Sequence, residues 1–144
     1  MLRHLWALCK KADTLWVKWI HTYFIKENCI WTMDIPSHSS WTMRKILGLR
    51  KLCQPLIRYH VSNWANTFLW LDNWHTLGPL YAKFGERVVT NLGRALWAKV
   101  VTIIDQGDWC WPRLRNQSIQ AIMDHTPPNL RPNLNVEDSI SWIL

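Results

Sequence analysis

Asn63-Trp64-Ala65-Asn66-Thr67-Phe68-Leu69-Trp70-Leu71-Asp72-Asn73-Trp74 is the stretch on which the reading of this chain turns. Its Trp-x-Asp-x-Trp ending alternates with a period of two, which in an extended strand places Phe68, Trp70, Asp72 and Trp74 on one face and Leu69 and Leu71 on the other. With Tyr59-His60-Val61 before it, the segment predicts a β-hairpin over 59–74, turning through Ser62-Asn63-Trp64-Ala65-Asn66. A lone carboxylate between indoles is either pinned by a hydrogen bond or poised at a surface. Carboxylate chemistry needs a second acid, a base or a metal beside it, and none accompanies Asp72 in the pattern.

Toward the N-terminus the period changes to that of helices. Residues 2–10 and 13–26 read as two helices, the second with Asp13 as its N-cap. Trp16, Trp19, Ile20, Tyr23 and Phe24 follow i, i+3, i+4, i+7, i+8 and form one apolar stripe that something must cover. A short strand, Ile30–Ile35, is expected before Pro36, and Ser39 or Ser40 can cap a helix over 41–54. On that helix Ile46, Leu49, Leu52 and Cys53 share one side and Arg44 and Lys51 the other. Pro55 ends or kinks it.

The span 41–60 carries Arg44, Lys45, Arg50, Lys51 and Arg58 and no acid, which makes it the strongest electrostatic feature of the chain. These five cations, with Trp41 and Trp64 as bases' stacking partners, are the candidate nucleic-acid-binding residues.

Toward the C-terminus, Leu77-Gly78-Pro79 is a turn, 85–93 a loop-rich stretch, Ala95–Ile104 a helix and Gln106-Gly107-Asp108 a turn. Residues 113–124 predict a last helix, 126–134 a Pro-rich linker, and Ser139–Leu144 a strand that has no partner in this reading. The expected fold class is α+β: a helical N-terminal part, a hairpin near 59–74, short C-terminal helices and an unpaired terminal strand. It reads as one incomplete domain over 1–144, split into a basic helical part (1–60) and a neutral mixed part (61–144).

Composition bounds the function further. The 144 residues are one domain's worth of chain, 49% apolar, with 12 tryptophans and a net charge of +7. Residues 1–60 hold ten Lys or Arg against three acids, Asp13, Glu27 and Asp34; residues 61–144 hold seven against seven. That asymmetry fits a polyanionic partner, RNA, DNA or an anionic membrane surface. Cys9, Cys29, Cys53 and Cys110 form no close pair of the kind zinc modules use, and the histidines share no ligand spacing. Buried reduced thiols and an intracellular setting, nucleus or cytoplasm, follow, with a mitochondrial presequence left open. No apolar run approaches the roughly 20 residues of a membrane span.

Several segments together resemble one family. Arg3-His4-Leu5-Trp6, Trp16-Val17-Lys18-Trp19-Ile20 and Ser40-Trp41-x-x-Arg44-Lys45-Ile46-Leu47 resemble, in this order, plant LINE-type (non-LTR) retrotransposon polyproteins. So do Thr67-Phe68-Leu69-Trp70-Leu71-Asp72-Asn73-Trp74, Leu77-Gly78-Pro79-Leu80 and Trp109-x-Trp111-Pro112. The resemblance covers nearly the whole chain. It implies the region between the reverse transcriptase and the reverse-transcriptase zinc-binding domain, a connecting or thumb-side segment rather than a catalytic one. The polymerase's paired aspartates, the endonuclease acids and the Cys/His zinc cluster of that family do not occur in this sequence. The expectation is therefore a non-enzyme with no catalytic residue, no metal ligand and no cofactor. Where relatives turn on glycines, this chain has Ser62-Asn63-Trp64-Ala65, a departure that implies a strained or altered turn and a degenerate, truncated copy.

Two functions remain on this reading. One is a nucleic-acid-contacting piece of a retroelement polyprotein acting through 41–60. The other is an orphan structural or interaction fragment whose stripe of Trp16, Trp19, Ile20, Tyr23 and Phe24 docks on an upstream polymerase domain.

Overall fold

The computed structural model describes residues 1–111, 116–128, 130, 131, 133 and 135–143. Helices dominate, with two small two-stranded sheets, so the fold is α+β. The chain divides into two compact units, residues 1–57 with Trp142 and Ile143, and residues 58–141.

The first unit is built on α1 (Leu2–Lys10), α2 (Leu15–Ile20), α3 (Trp41–Gly48) and α4 (Arg50–Cys53). Helix α1 stops where Lys11 turns left-handed (φ 54°) and the amides of Lys11 and Ala12 close back on Leu8 O and Ala7 O, a C-terminal lock more often made by glycine. The N-cap of α2 is Thr14, whose Oγ1 accepts Val17 N–H at 3.2 Å, not Asp13. Asp13 instead forms an exposed pair with Lys18 at 2.6 Å. The helix expected over 13–26 changes its winding at His21, where a π turn (His21–Ile25) runs to Lys26 in a positive-φ conformation. One extra residue per turn rotates the stripe. Ile20 and Ile25 point into the core while Trp16, Trp19 and Tyr23 stay at the surface.

Leu5, Leu8, Val17, Ile20, Met43, Ile46 and Leu47 form the interior of this unit, each contributing about 2 kcal/mol by burial. Residues 30–35 make turns and extended coil instead of the expected strand. Ser40 caps α3 by accepting Met43 N–H, and Pro55 ends α4 in a single 3-10 turn, Gln54–Leu56. Trp6 stacks on Trp142, with centroids 5.0 Å apart, and Ile143 N–H bonds Leu56 O at 2.7 Å.

In the second unit the sheet differs from the expected hairpin. Strand β1 (Ile57–His60) pairs with β4 (Ser139–Trp142), so the terminal strand is partnered and the 59–74 hairpin is absent. His60 Nε2 lies 2.7 Å from Ser141 Oγ. Residues 67–74 coil through turns, anchored by one antiparallel bridge between Phe68 and Lys99. The Asp72 carboxylate bends back to accept Phe68 N–H at 2.8 Å, four residues away, which a strand cannot do. The alternating pattern therefore reports burial on both sides. Leu69, Trp70, Leu71, Asp72 and Trp74 are all enclosed.

Helices α5 (Leu80–Phe84) and α6 (Glu86–Leu92) replace the loop expected at 85–93. The helix expected over 95–104 shrinks to a 3-10 turn, Val100–Ile103, consistent with its β-branched content. Gln106 and Gly107, both at positive φ, close a tight hairpin between β2 (Ile104–Asp105) and β3 (Asp108–Trp109). Helix α7 (Gln117–Asp124) starts at an Asn116 cap; residues 113–115 of the expected helix lie outside the described residues, as do 129, 132 and 134 of the Pro-rich stretch. Among the described residues no helix is long and apolar enough to cross a membrane.

Candidate nucleic-acid interface

The candidate cations and aromatics divide by burial. On α3 the inward positions are Met43, Ile46 and Leu47, which leaves Trp41, Arg44 and Lys45 at the surface. Trp41 is 67% exposed, and the Lys45 ammonium lies 5.5 Å from its ring centroid, a cation–π contact of i, i+4 spacing. Arg44 is exposed and donates through Nη2 to Ser37 O, a bond that leaves the rest of the guanidinium fork to solvent. Lys51 on α4 is exposed as well. Trp41, Arg44 and Lys45 thus make a cationic and aromatic surface on α3, and Lys51 adds an exposed cation on α4 of the same unit.

Arg50 is different. Its guanidinium donates to three backbone carbonyls, Leu47 O at 3.0 Å, Ile30 O at 2.9 Å and Met33 O at 2.6 Å. It closes the end of α3 and ties down the loop that was expected to be a strand. Burial lowers its pKa, and the charge of Asp34 partly offsets this. Its role is a structural staple, a correction to its place among phosphate-binding residues.

Arg58 lies in the second unit, half-buried, with Nη1 donating to His75 O at 2.7 Å and its pKa lowered by burial. It too is held by the fold. Trp64 has no exposed surface. It packs edge-on against Trp74 (6.4 Å) and Trp109 (4.8 Å), and no base can reach its ring. Its φ is 67°, so this turn holds an indole in the left-handed geometry that favours glycine.

Sequence reasoning missed Asp138. Its carboxylate accepts Ser62 N–H (2.6 Å), Trp64 N–H (3.1 Å) and Asn66 N–H (3.3 Å), and Thr67 Oγ1 donates to it at 2.7 Å. One acid thus organises the whole 62–67 turn from 71 to 76 residues away, a separation that no local signal reports.

His75 is a fully buried polar side chain. Leu77 N–H donates to its Nδ1 (3.2 Å), so the ring proton sits on Nε2, facing Ile122 O (3.1 Å) and Thr126 Oγ1 (3.0 Å). Burial holds it neutral and lowers its pKa to about 4, with the Arg58 charge adding to the shift and the Ile122 carbonyl opposing it.

The expected docking stripe is split. Leu15 (86%), Trp16 (38%), Trp19 (55%) and Tyr23 (65%) are exposed, whereas Ile20 is buried at 2% and Phe24 is half-buried. Trp16 also borders a cleft of about 390 Å³ between α1, α2 and α3. Ala7, Val17 and Ile46 form its floor, and Arg3, His4, Thr14 and Thr42 its polar edge.

The four cysteines form no disulfide among the described residues; Cys29 and Cys53 are buried, and burial raises the Cys53 thiol pKa. No group of three or more His, Cys, Asp or Glu side chains among the described residues is arranged to hold a metal ion. No protein-family model matches the chain, and no curated protein or solved structure matches it either.

Proposed function

We propose that this chain is a non-catalytic segment of a retroelement reverse-transcriptase polyprotein of the non-LTR type, and that it contacts single-stranded nucleic acid through Trp41, Arg44, Lys45 and Lys51. The observation that carries the reading is the exposed Trp41, Arg44 and Lys45 of α3, with the Lys45 ammonium over the Trp41 ring, and the exposed Lys51 of α4. The ordered resemblance of the sequence supports the polyprotein context. Cations of this kind neutralise phosphates without reading sequence, and an exposed indole stacks on any base. The proposal assigns no reaction to Asp72, whose carboxylate is turned onto a backbone amide of its own segment.

Binding of a single-stranded RNA by the intact chain tests it, against a variant carrying Arg44→Ala, Lys45→Ala and Lys51→Ala. A control variant carrying Lys83→Ala, Arg87→Ala and Arg94→Ala removes the same charge from the second unit. The first variant is expected to lose most of the affinity and the control to keep it. Equal loss in both would mean a nonspecific charge effect and would overturn the assigned face.

The second reading is a docking fragment without activity of its own. The exposure of Leu15, Trp16, Trp19 and Tyr23 favours it, since four large apolar side chains along one helix seldom face water without a partner. An upstream polymerase domain added in trans should then co-elute with the chain, and Trp19→Ser with Tyr23→Ser should abolish the complex.

A further inference from the structure

Beside the cationic face, the cleft between α1, α2 and α3 has the make-up of a base-binding subsite. Its volume of about 390 Å³ lies within the ~300–1,000 Å³ of small-molecule clefts. Val17 and Ile46 give it an apolar floor. One wall is aromatic. Trp16 and His4 meet edge to face with centroids 5.5 Å apart, and Trp16 keeps 38% of its surface exposed.

At the rim stands Arg3, exposed and without a carboxylate partner among the described residues. No acid lines the cleft. Asp13, the nearest in sequence to a lining residue, is engaged by Lys18. Thr42 adds a hydroxyl on the opposite edge, one helical turn before Lys45 on α3, so the cleft and the cationic face share a helix surface.

We infer that this cleft takes one unstacked base of a single-stranded nucleic acid, held against Trp16, with Arg3 on the phosphate that accompanies it. The inference rests on the proposed nucleic-acid reading and deepens it. Backbone charge on α3 and α4 draws the strand in, and the cleft distinguishes a strand with bases from a bare sugar-phosphate chain. Aromatic side chain, apolar floor, one cation and no anion are what a base with its phosphate requires.

The test uses the full chain and two fluorescein-labelled oligomers of equal length, an oligouridylate and the same backbone built of abasic units. The oligouridylate is expected to bind about tenfold more tightly, as one base–aromatic stack implies. Trp16→Ala should erase that difference while leaving the abasic oligomer's affinity unchanged. Thr42→Trp changes an exposed position on the rim and removes no buried contact. It fills the cleft and should erase the difference too, which separates loss of the subsite from loss of the fold. Equal affinity of the wild type for both oligomers would overturn the subsite and leave the electrostatic reading standing. A preference that survives in both variants would place base recognition elsewhere and overturn it as well. Failure of both oligomers to bind would overturn the nucleic-acid reading itself.

Discussion

Three side chains carry unusual weight. Asp138 satisfies three amides and a hydroxyl at once, so Asp138→Ala leaves these part-buried donors without their acceptor and should cost about 2 kcal/mol in a urea titration. An unchanged midpoint would show that the 62–67 turn holds itself. Trp64 sits at positive φ and is fully buried. Trp64→Gly relieves backbone strain of about 1 kcal/mol but empties a site whose truncation costs about 3–5 kcal/mol. Net destabilisation is therefore expected, and a stabilised variant would contradict the packing account.

His75 sets a pH dependence. Its folded pKa of about 4 lies below the ordinary 6.5, so the unfolded chain takes up the proton first as pH falls. The contribution is complete above about pH 6.5 and is lost between there and about pH 4. It amounts to on the order of 3 kcal/mol. Denaturant midpoints across that window should fall in the wild type and fall less in His75→Gln.

Among the elements, α1, α3 and α7 were legible, whereas α5, α6 and the sheet were not. Helix α1, the Ser40 cap and the basic face of α3 follow from periodicity and capping within ten residues of chain. Ser40→Ala should accordingly cost about 1 kcal/mol of the first unit's stability. The hairpin over 59–74 failed because strand pairing is a long-range choice. β1 takes its partner from residues 139–142, and the tryptophan alternation at 70–74 reflects a segment enclosed on every side, not a two-faced strand. The π turn after Ile20 was equally hidden. It turns Ile25 inward after Ile20 and leaves Phe24 half-buried through one additional residue that no hydrophobic pattern announces. Of the seven proposed contact residues, the four on α3 and α4 have the exposure that such a role requires. Arg50, Arg58 and Trp64 lose it because composition does not reveal whether a cation meets solvent or a carbonyl.

For the whole molecule, the charge asymmetry read from the sequence falls close to the boundary between the two compact units, at Ile57 and Arg58. The central claim is that the exposed cations of the first unit engage the phosphates of a single strand. Its most direct test is fluorescence anisotropy of a labelled oligouridylate with the intact chain across a range of salt concentrations. If Arg44, Lys45 and Lys51 each neutralise one phosphate, log K should fall with log salt at a slope of roughly −2, and of roughly −0.7 in a Lys45→Ala, Lys51→Ala variant. Affinity independent of salt, or a slope that those substitutions leave unchanged, would contradict the account.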